Sequence, residues 1–321
     1  MHGEDMMFHN LKLGAVVAGA IAVSAPVAQA SEFINILTGG TSGVYYPLGV
    51  ALSDVYAKGI EGARTQVQST KASVENLNLL QQGKGELAFA LGDSVKYAWE
   101  GNADAGFKEP LSKLRAIAAI YPNVIQIAAL SETGAATVAD LKGKSLSVGA
   151  AKSGTELNAR AIFGASGMSY EDLGKLEYLP FAESVELMKN RQLDATLQSS
   201  GLGNAALKDL ATSQPITFLS VPAEVAESLG APYIASAIPA GTYEGQTADV
   251  PTVAVVNFLV THEDVSDEVA YQMTKLMFEN LDTLKAAHSA AGGISLEGAI
   301  KGSPIPLHPG AERFYKEQGL L

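Results

Sequence analysis

Apolar and polar positions along residues 32–321 fall into short blocks that predict strands and helices in alternation. Phe33-Ile34-Asn35-Ile36-Leu37 predicts a strand, and the glycine-rich stretch Thr38–Pro47 turns into a helix expected over Leu48–Gly59. Ala63–Ser69 predicts a second strand. Over Ser73–Gln82 the apolar residues Val74, Leu77 and Leu80 recur at helical spacing, and Gly83 suits the cap. Glu86–Leu91 is a compact apolar run and predicts a third, buried strand. Strand, helix, strand, helix, strand implies a mostly parallel sheet.

A second unit is expected after Tyr121-Pro122. Asn123–Leu130 predicts a long strand, Ala139–Gly143 a turn and Ser145–Gly149 a further strand. A helix is expected from Ser153 to near Gly164–Gly167, another over Ser184–Asn190, and a strand at Asp194–Leu197. Thr252–Val260 predicts a strand returning to the first unit, and helices at Asp267–Leu281 and Pro309–Gln318 close the chain. The pattern is that of an α/β protein of two lobes with mixed, mostly parallel sheets. Residues 31–121 begin one lobe, 122–250 form the other, and 251–321 return to complete the first. Ligands of such sheets sit at the carboxyl ends of strands beside helix N-termini, so a cleft between the lobes is the expected site.

Residues 1–30 follow another pattern. Lys12 precedes the apolar run Leu13–Val23, and Ala28-Gln29-Ala30 supplies the small residues of a cleavage site. This predicts a signal peptide cut before Ser31 and a periplasmic protein, since the run is too short to span a bilayer. Glu4 and Asp5 are out of place in a basic leader, which makes Met6 and Met7 alternative starts.

Composition narrows the partners. Asp and Glu number 34 against 22 Lys and Arg, a net charge of -12. Such a chain gains nothing from release of phosphate counterions, so no nucleic acid is expected. The 0 cysteines exclude disulfides, thiol catalysis, cysteine-ligated zinc and a cysteine-borne lipid. No cofactor and no metal are expected, and the body of the chain holds no apolar run long enough for a spanning helix.

Four blocks in order resemble one family. FINILTGGTSGVYYPLG, STKASVENLNLLQQGKGELAFALGD, LKGKSLSVGAAKSGTELNAR and KGSPIPLHPGAERFY are similar to the TAXI family, the solute-binding subunits of TRAP (tripartite ATP-independent periplasmic) transporters. The resemblance covers nearly all of residues 32–321. It implies a type II periplasmic-binding-protein fold and delivery of a small acidic solute, such as glutamate, a related amino acid or a dicarboxylate, to TRAP permease membrane subunits.

The residues can be read for chemistry beside that resemblance. Thr41-Ser42-Gly43 follows a strand and opens a helix, whose N-terminus carries roughly +0.5 charge and free N–H donors. The alternative is a plain turn with Thr41 or Ser42 as N-cap. Tyr45 and Tyr46 offer a wall and a hydroxyl, one of the two being core packing. Ser153-Gly154-Thr155-Glu156 reads as a capping box, with Glu156 turned back on the helix end. It leaves the N–H groups of Gly154 and Thr155 for an anion. The family resemblance sets this motif in the cleft together with Asn158. Arg160, further along the helix, is either a carboxylate clamp or half of a structural ion pair. Ser69 and Thr70, with Ser73 and Asn76 beyond them, are uncharged donors at the mouth of the first lobe. Asp93 is either an N-cap or the partner of a ligand ammonium. Ser199-Ser200-Gly201-Leu202-Gly203 ends a strand, and Gly201 and Leu202 are expected to offer backbone contacts.

An enzyme is not expected. After residue 30 the histidines are His262, His288 and His308, none near these motifs, and no nucleophile elbow, zinc helix or P-loop is present. A sensory binding protein that presents ligand to a membrane receptor is the alternative to transport. Mass spectrometry of the exported protein is expected to find Ser31 at its N-terminus; an intact leader would contradict the signal-peptide assignment.

Overall fold

The computed structural model describes residues 32–321, so the signal peptide expected at 1–30 lies outside the described residues. The first unit runs β1 (Phe33–Leu37), α1 (Tyr45–Gly59), β2 (Arg64–Gln68), α2 (Ser73–Gln81), β3 (Leu87–Leu91) and α3 (Gly92–Glu100). β1 pairs in parallel with β2 and with β3. β3 is buried along its whole length, which explains an apolar run without alternation. α1 starts before the expected Leu48 because Pro47 falls in the first turn, where a missing N–H costs no hydrogen bond.

β4 (Leu114–Leu130) then crosses the molecule. Its first half lies before the strand expected at Asn123, and it passes through Tyr121-Pro122 without a break. Pro122 is tolerated there because the register against the next crossing strand slips at this point. The second unit follows as β5 (Ser145–Ser147), α4 (Gly154–Ala165), β6 (Lys175–Glu177), α5 (Phe181–Lys189) and β7 (Ala195–Ser200). α6 (Ala205–Ser213), β8 (Ile216–Phe218), α7 (Ala223–Leu229) and β9 (Tyr233–Ile238) come next, and none of these was expected from the pattern. β10 (Val250–His262) crosses back. The helix expected over Asp267–Leu281 is two, α8 (Asp267–Glu279) and α9 (Leu281–Ala287), separated at Asn280, and α10 (Pro309–Glu317) ends the chain with Pro309 in its first turn.

The strands form one sheet in the order β2-β1-β3-β10-β4-β7-β5-β6, with β8 beside β4 and β9 beside β10. Pairing is parallel toward both ends and antiparallel at the centre, where the crossing strands lie. The apolar cores divide between two lobes. Two clusters draw almost wholly on residues before Val124 and after Val255, one including Tyr56, Phe89, Met273 and Tyr315 and the other Leu77, Phe107 and Phe258. Two others, around Ile127, Phe163, Leu197 and Met188, draw on Val124 to Ala254. Among the described residues no helix is long and apolar enough to cross a membrane.

α10 rests on the start of α8 through Gly310. A Cβ there would stand 2.1 Å from the Asp267 carbonyl oxygen and 2.7 Å from the Tyr271 nitrogen. Gly310→Ala is therefore expected to destabilise the protein by about 1–3 kcal/mol, read as a lowered urea midpoint. An unchanged midpoint would mean that this helix contact is looser than described.

Candidate functional site

A cavity of about 330 Å³ opens between the lobes, above the crossing strands. Four helix N-termini meet on it: α1 and α2 from the first lobe, α4 and α5 from the second. A first turn has N–H groups without intrahelical acceptors and a partial positive charge. α1, α2 and α5 have no side-chain cap; their N-cap positions are Val44, Ala72 and Pro180. Thr41 and Ser42 thus line the cavity without capping α1, and the chain turns there through a Gly43 N–H bond to the Gly40 carbonyl. Ser153 does cap α4, accepting the Glu156 N–H at 3.1 Å.

Backbone strain gathers at two of these helix ends. Ala72 has φ 70° and Lys152 has φ 62°, in the left-handed region that side chains avoid. Each such residue costs on the order of 1–3 kcal/mol and persists where surrounding packing dictates it, often at a functional site.

The hydroxyls divide by partner. Ser69 donates to the Gly39 carbonyl at 2.9 Å, and Thr70 Oγ1 lies 2.9 Å from the Thr38 carbonyl and 2.6 Å from Asn76 Oδ1. Both line the cavity, yet their protons brace the loop after β1. Tyr45 is buried, stacks on Phe89 and donates to Asn257 Oδ1. Burial holds its phenol pKa well above the ordinary value, so it stays a donor. The Asn257 amide donates to Asn123 Oδ1 at 2.7 Å and to the Tyr121 carbonyl at 2.8 Å, and Asn123 donates to the Ser199 carbonyl at 2.9 Å. This chain spans the register slip of β4 and β10 and forms a polar floor joining the lobes. Ser199 Oγ is buried on the cavity wall without a partner among the described residues.

Of the residues expected at the site, Thr41, Ser42, Gly43, Tyr45, Ser69, Thr70, Ser153 and Thr155 line the cavity. Asp93, Gly154, Asn158, Gly201 and Leu202 do not. Gly154 abuts the other lobe: a Cβ would stand 2.6 Å from Leu91 Cδ1 and 2.6 Å from Ser73 Oγ. Gly201 faces Ala290, Val44 and Tyr121, and Leu202 packs into a core of the second lobe. Asp93 does not cap its helix, whose N-cap is Leu91; it binds Asn158 instead, at 2.6 Å. Glu156 is no second half of a capping box, because its carboxylate takes Arg160 at 2.8 and 2.9 Å and the Tyr170 hydroxyl at 3.3 Å. Arg160 is accordingly a structural partner that also donates to the Asp104 carbonyl across the lobes.

Sequence reasoning missed Lys71, Asn123 and the Pro180–Glu183 segment, all on the cavity wall. Pro180 ahead of a helical run was a legible helix start. Lys71 and Glu183 are the charged side chains on the wall, both exposed, and neither forms an ion pair among the described residues. Among the described residues no histidine lines the cavity.

Two lobes joined by crossing strands, with helix N-termini facing the cleft, define the type II periplasmic-binding-protein fold. Residues 36–319 match the NMT1-like family, and the chain belongs to it. The fold is similar to that of PhnD1 from Prochlorococcus marinus (MIT 9301), solved with methylphosphonate, at 10% identity over 91% of this chain and 100% of that one, TM-score 0.57. A structure described as a periplasmic transporter shares 12% identity over 90% and 93% of the two chains, TM-score 0.55. A putative L-cystine ABC transporter from Listeria monocytogenes shares 15% over 82% and 96%, TM-score 0.51. At these identities the likeness is one of fold.

Ser153→Ala removes the acceptor of the Glu156 N–H. It is expected to lower stability by about 1 kcal/mol, read by thermal or urea unfolding. No loss would mean that the α4 cap is dispensable.

Proposed function

We propose that this protein is a periplasmic solute receptor that holds a small carboxylate between its lobes and hands it to a membrane permease without converting it. The lobes are 31–121 with 251–321, and 122–250. The observation that carries the reading is the convergence of four helix N-termini, three of them without side-chain caps, on one cavity. In a chain of net charge -12 this is a local concentration of positive potential, and it suits an anion. Carboxylate oxygens bind the first-turn N–H groups of α1 and α4, with Thr155 adding a hydroxyl and Lys71 an ammonium.

The ammonium partner considered for Asp93 passes to Glu183. Asp93 has its acceptors filled by protein donors, whereas Glu183 stands on the wall with no ion-pair partner among the described residues. A wall carrying one carboxylate and one ammonium matches a zwitterion, so a glutamate-like amino acid is the favoured ligand over a plain dicarboxylate. The four sequence blocks support a TRAP permease of the TAXI type as the membrane partner.

Calorimetry with L-glutamate, other amino acids and 2-oxoglutarate tests this. Saturable binding with the ligand recovered unchanged is expected. Thr155→Ala removes a hydrogen bond to a charged group, about 1.5–3 kcal/mol, or roughly tenfold to a hundredfold in affinity. Glu183→Gln is expected to weaken amino acids and leave dicarboxylates nearly unaffected. Tight binding of only neutral sugars or polyamines would refute the anion assignment, and turnover would refute simple binding.

A further inference from the structure

Away from the ligand cavity, one of the contacts between the lobes is a buried carboxylate. Asp93 stands in the first turn of α3 and is 1% exposed. Its Oδ1 accepts the Ser94 N–H at 2.7 Å. Its Oδ2 accepts from Asn158 Nδ2 at 2.6 Å and from the Tyr233 hydroxyl at 2.7 Å. Asn158 lies on α4 and Tyr233 on β9, both in the opposite lobe. Asn158 Nδ2 is also 3.1 Å from the Tyr233 oxygen, so the three groups close a ring. Tyr233 also packs with Leu91 and Val255 in a small buried apolar cluster that straddles the seam.

We propose that Asp93, Asn158 and Tyr233 form a proton-sensitive latch that holds the lobes together and sets the balance between open and closed forms. The inference rests on the two-lobe binding reading given above. None of the three lines the cavity, so the latch contributes equally for any ligand. Opening takes both donors away from Asp93 and returns the carboxylate to water.

The charges around the carboxylate favour such sensitivity. Among the described residues no cation pairs with it. Glu156 and Arg160, on the same helix as Asn158, pair with each other. The titratable groups that feel Asp93 are Tyr233, Tyr45 and Tyr97, and its charge helps hold each of them in the neutral form. Burial pushes Asp93 from the ordinary 3.8 up to about 6 in the closed form, against the pull of the Tyr233 and Ser94 donors. Asn158 Oδ1 is buried without a partner among the described residues. Rotating that amide presents an acceptor to a protonated Asp93, so the ring accommodates the added proton.

The sign follows from linkage. A carboxyl with a raised pKa in the closed form takes up a proton on closing. Closure is therefore hardest above pH 6 and becomes easier as pH falls from 6 toward 3.8. Between pH 7.5 and pH 5 the closed-to-open ratio is expected to rise about tenfold.

The chain has 0 cysteines, so a dye pair placed by Lys108→Cys and Glu171→Cys, one exposed site on each lobe, reports the distance across the seam without other labels. Measured without ligand, the dyes are expected to approach as pH falls from 7.5 to 5. Asp93→Asn is expected to abolish that response. Tyr233→Phe keeps the ring packing but removes a donor to the carboxylate, so its response should persist with the midpoint moved to higher pH. A dye distance that ignores pH in the parent chain, or an unchanged response in Asp93→Asn, would overturn the latch. Failure of every carboxylate to bind, with the pH response intact, would overturn the solute assignment and leave the latch standing.

Discussion

Strands β4 and β10 pair antiparallel from Leu114 beside His262 to Val124 beside Ala254, and both lobes are built outward from that ladder. Each lobe adds its parallel strands to one half of the ladder, so the halves share one sheet while their apolar cores stay apart. The register slip between Val256 and Phe258 falls at the boundary between cores. A slip turns strand residues out of plane, and here it accompanies the bonds of Asn257 to Tyr121 and Asn123. An apolar pair at that point would close the floor; the amides keep it polar and bonded to both lobes.

The helix ends on the cavity follow from the same constraint. In a βαβ unit each helix starts at the carboxyl end of the strand before it. Two such units turned toward each other across crossing strands bring their helix N-termini face to face. Attraction for an anion therefore needs no arginine, and the arginine nearest the seam, Arg160, is taken by Glu156. Glycines make the approach possible. Gly154 sits where Leu91 and Ser73 leave no room for a Cβ, and Gly201 does the same against Ala290.

The first unit was legible almost throughout, because Ser73–Gln82 carries a clean helical period and Phe33–Leu37 and Glu86–Leu91 are compact, mostly apolar runs. Residues 205–238 were not. Ile216–Phe218 is too short to show a period, and α6 and α7 are short helices. The first half of β4 was hidden by Pro122, which reads as a break unless the register slip is known. At the site, contiguous motifs could be found: Ser153–Thr155 announces a helix start by its capping chemistry, and Thr41–Gly43 marks the glycine-rich turn ahead of α1. Lys71, Asn123 and Glu183 reach the cavity only through folding across long separations. Asp93 stood out as a polar residue at a strand end, and Asn158 was implied by the family resemblance. Whether they bind a ligand or each other depends on the gap between lobes, which one-dimensional spacing does not contain.

The proposed binding mode rests chiefly on helix N-termini, with Lys71 as an added cation and no arginine clamp. Amide proton and nitrogen shifts recorded while L-glutamate is added address it most directly. The largest changes are expected at the first-turn amides of Tyr45, Tyr46, Gly154 and Thr155, with smaller ones at Ala182 and Glu183. Changes confined to the seam around Arg160 and Asp104, with those first-turn amides unmoved at saturation, would contradict it.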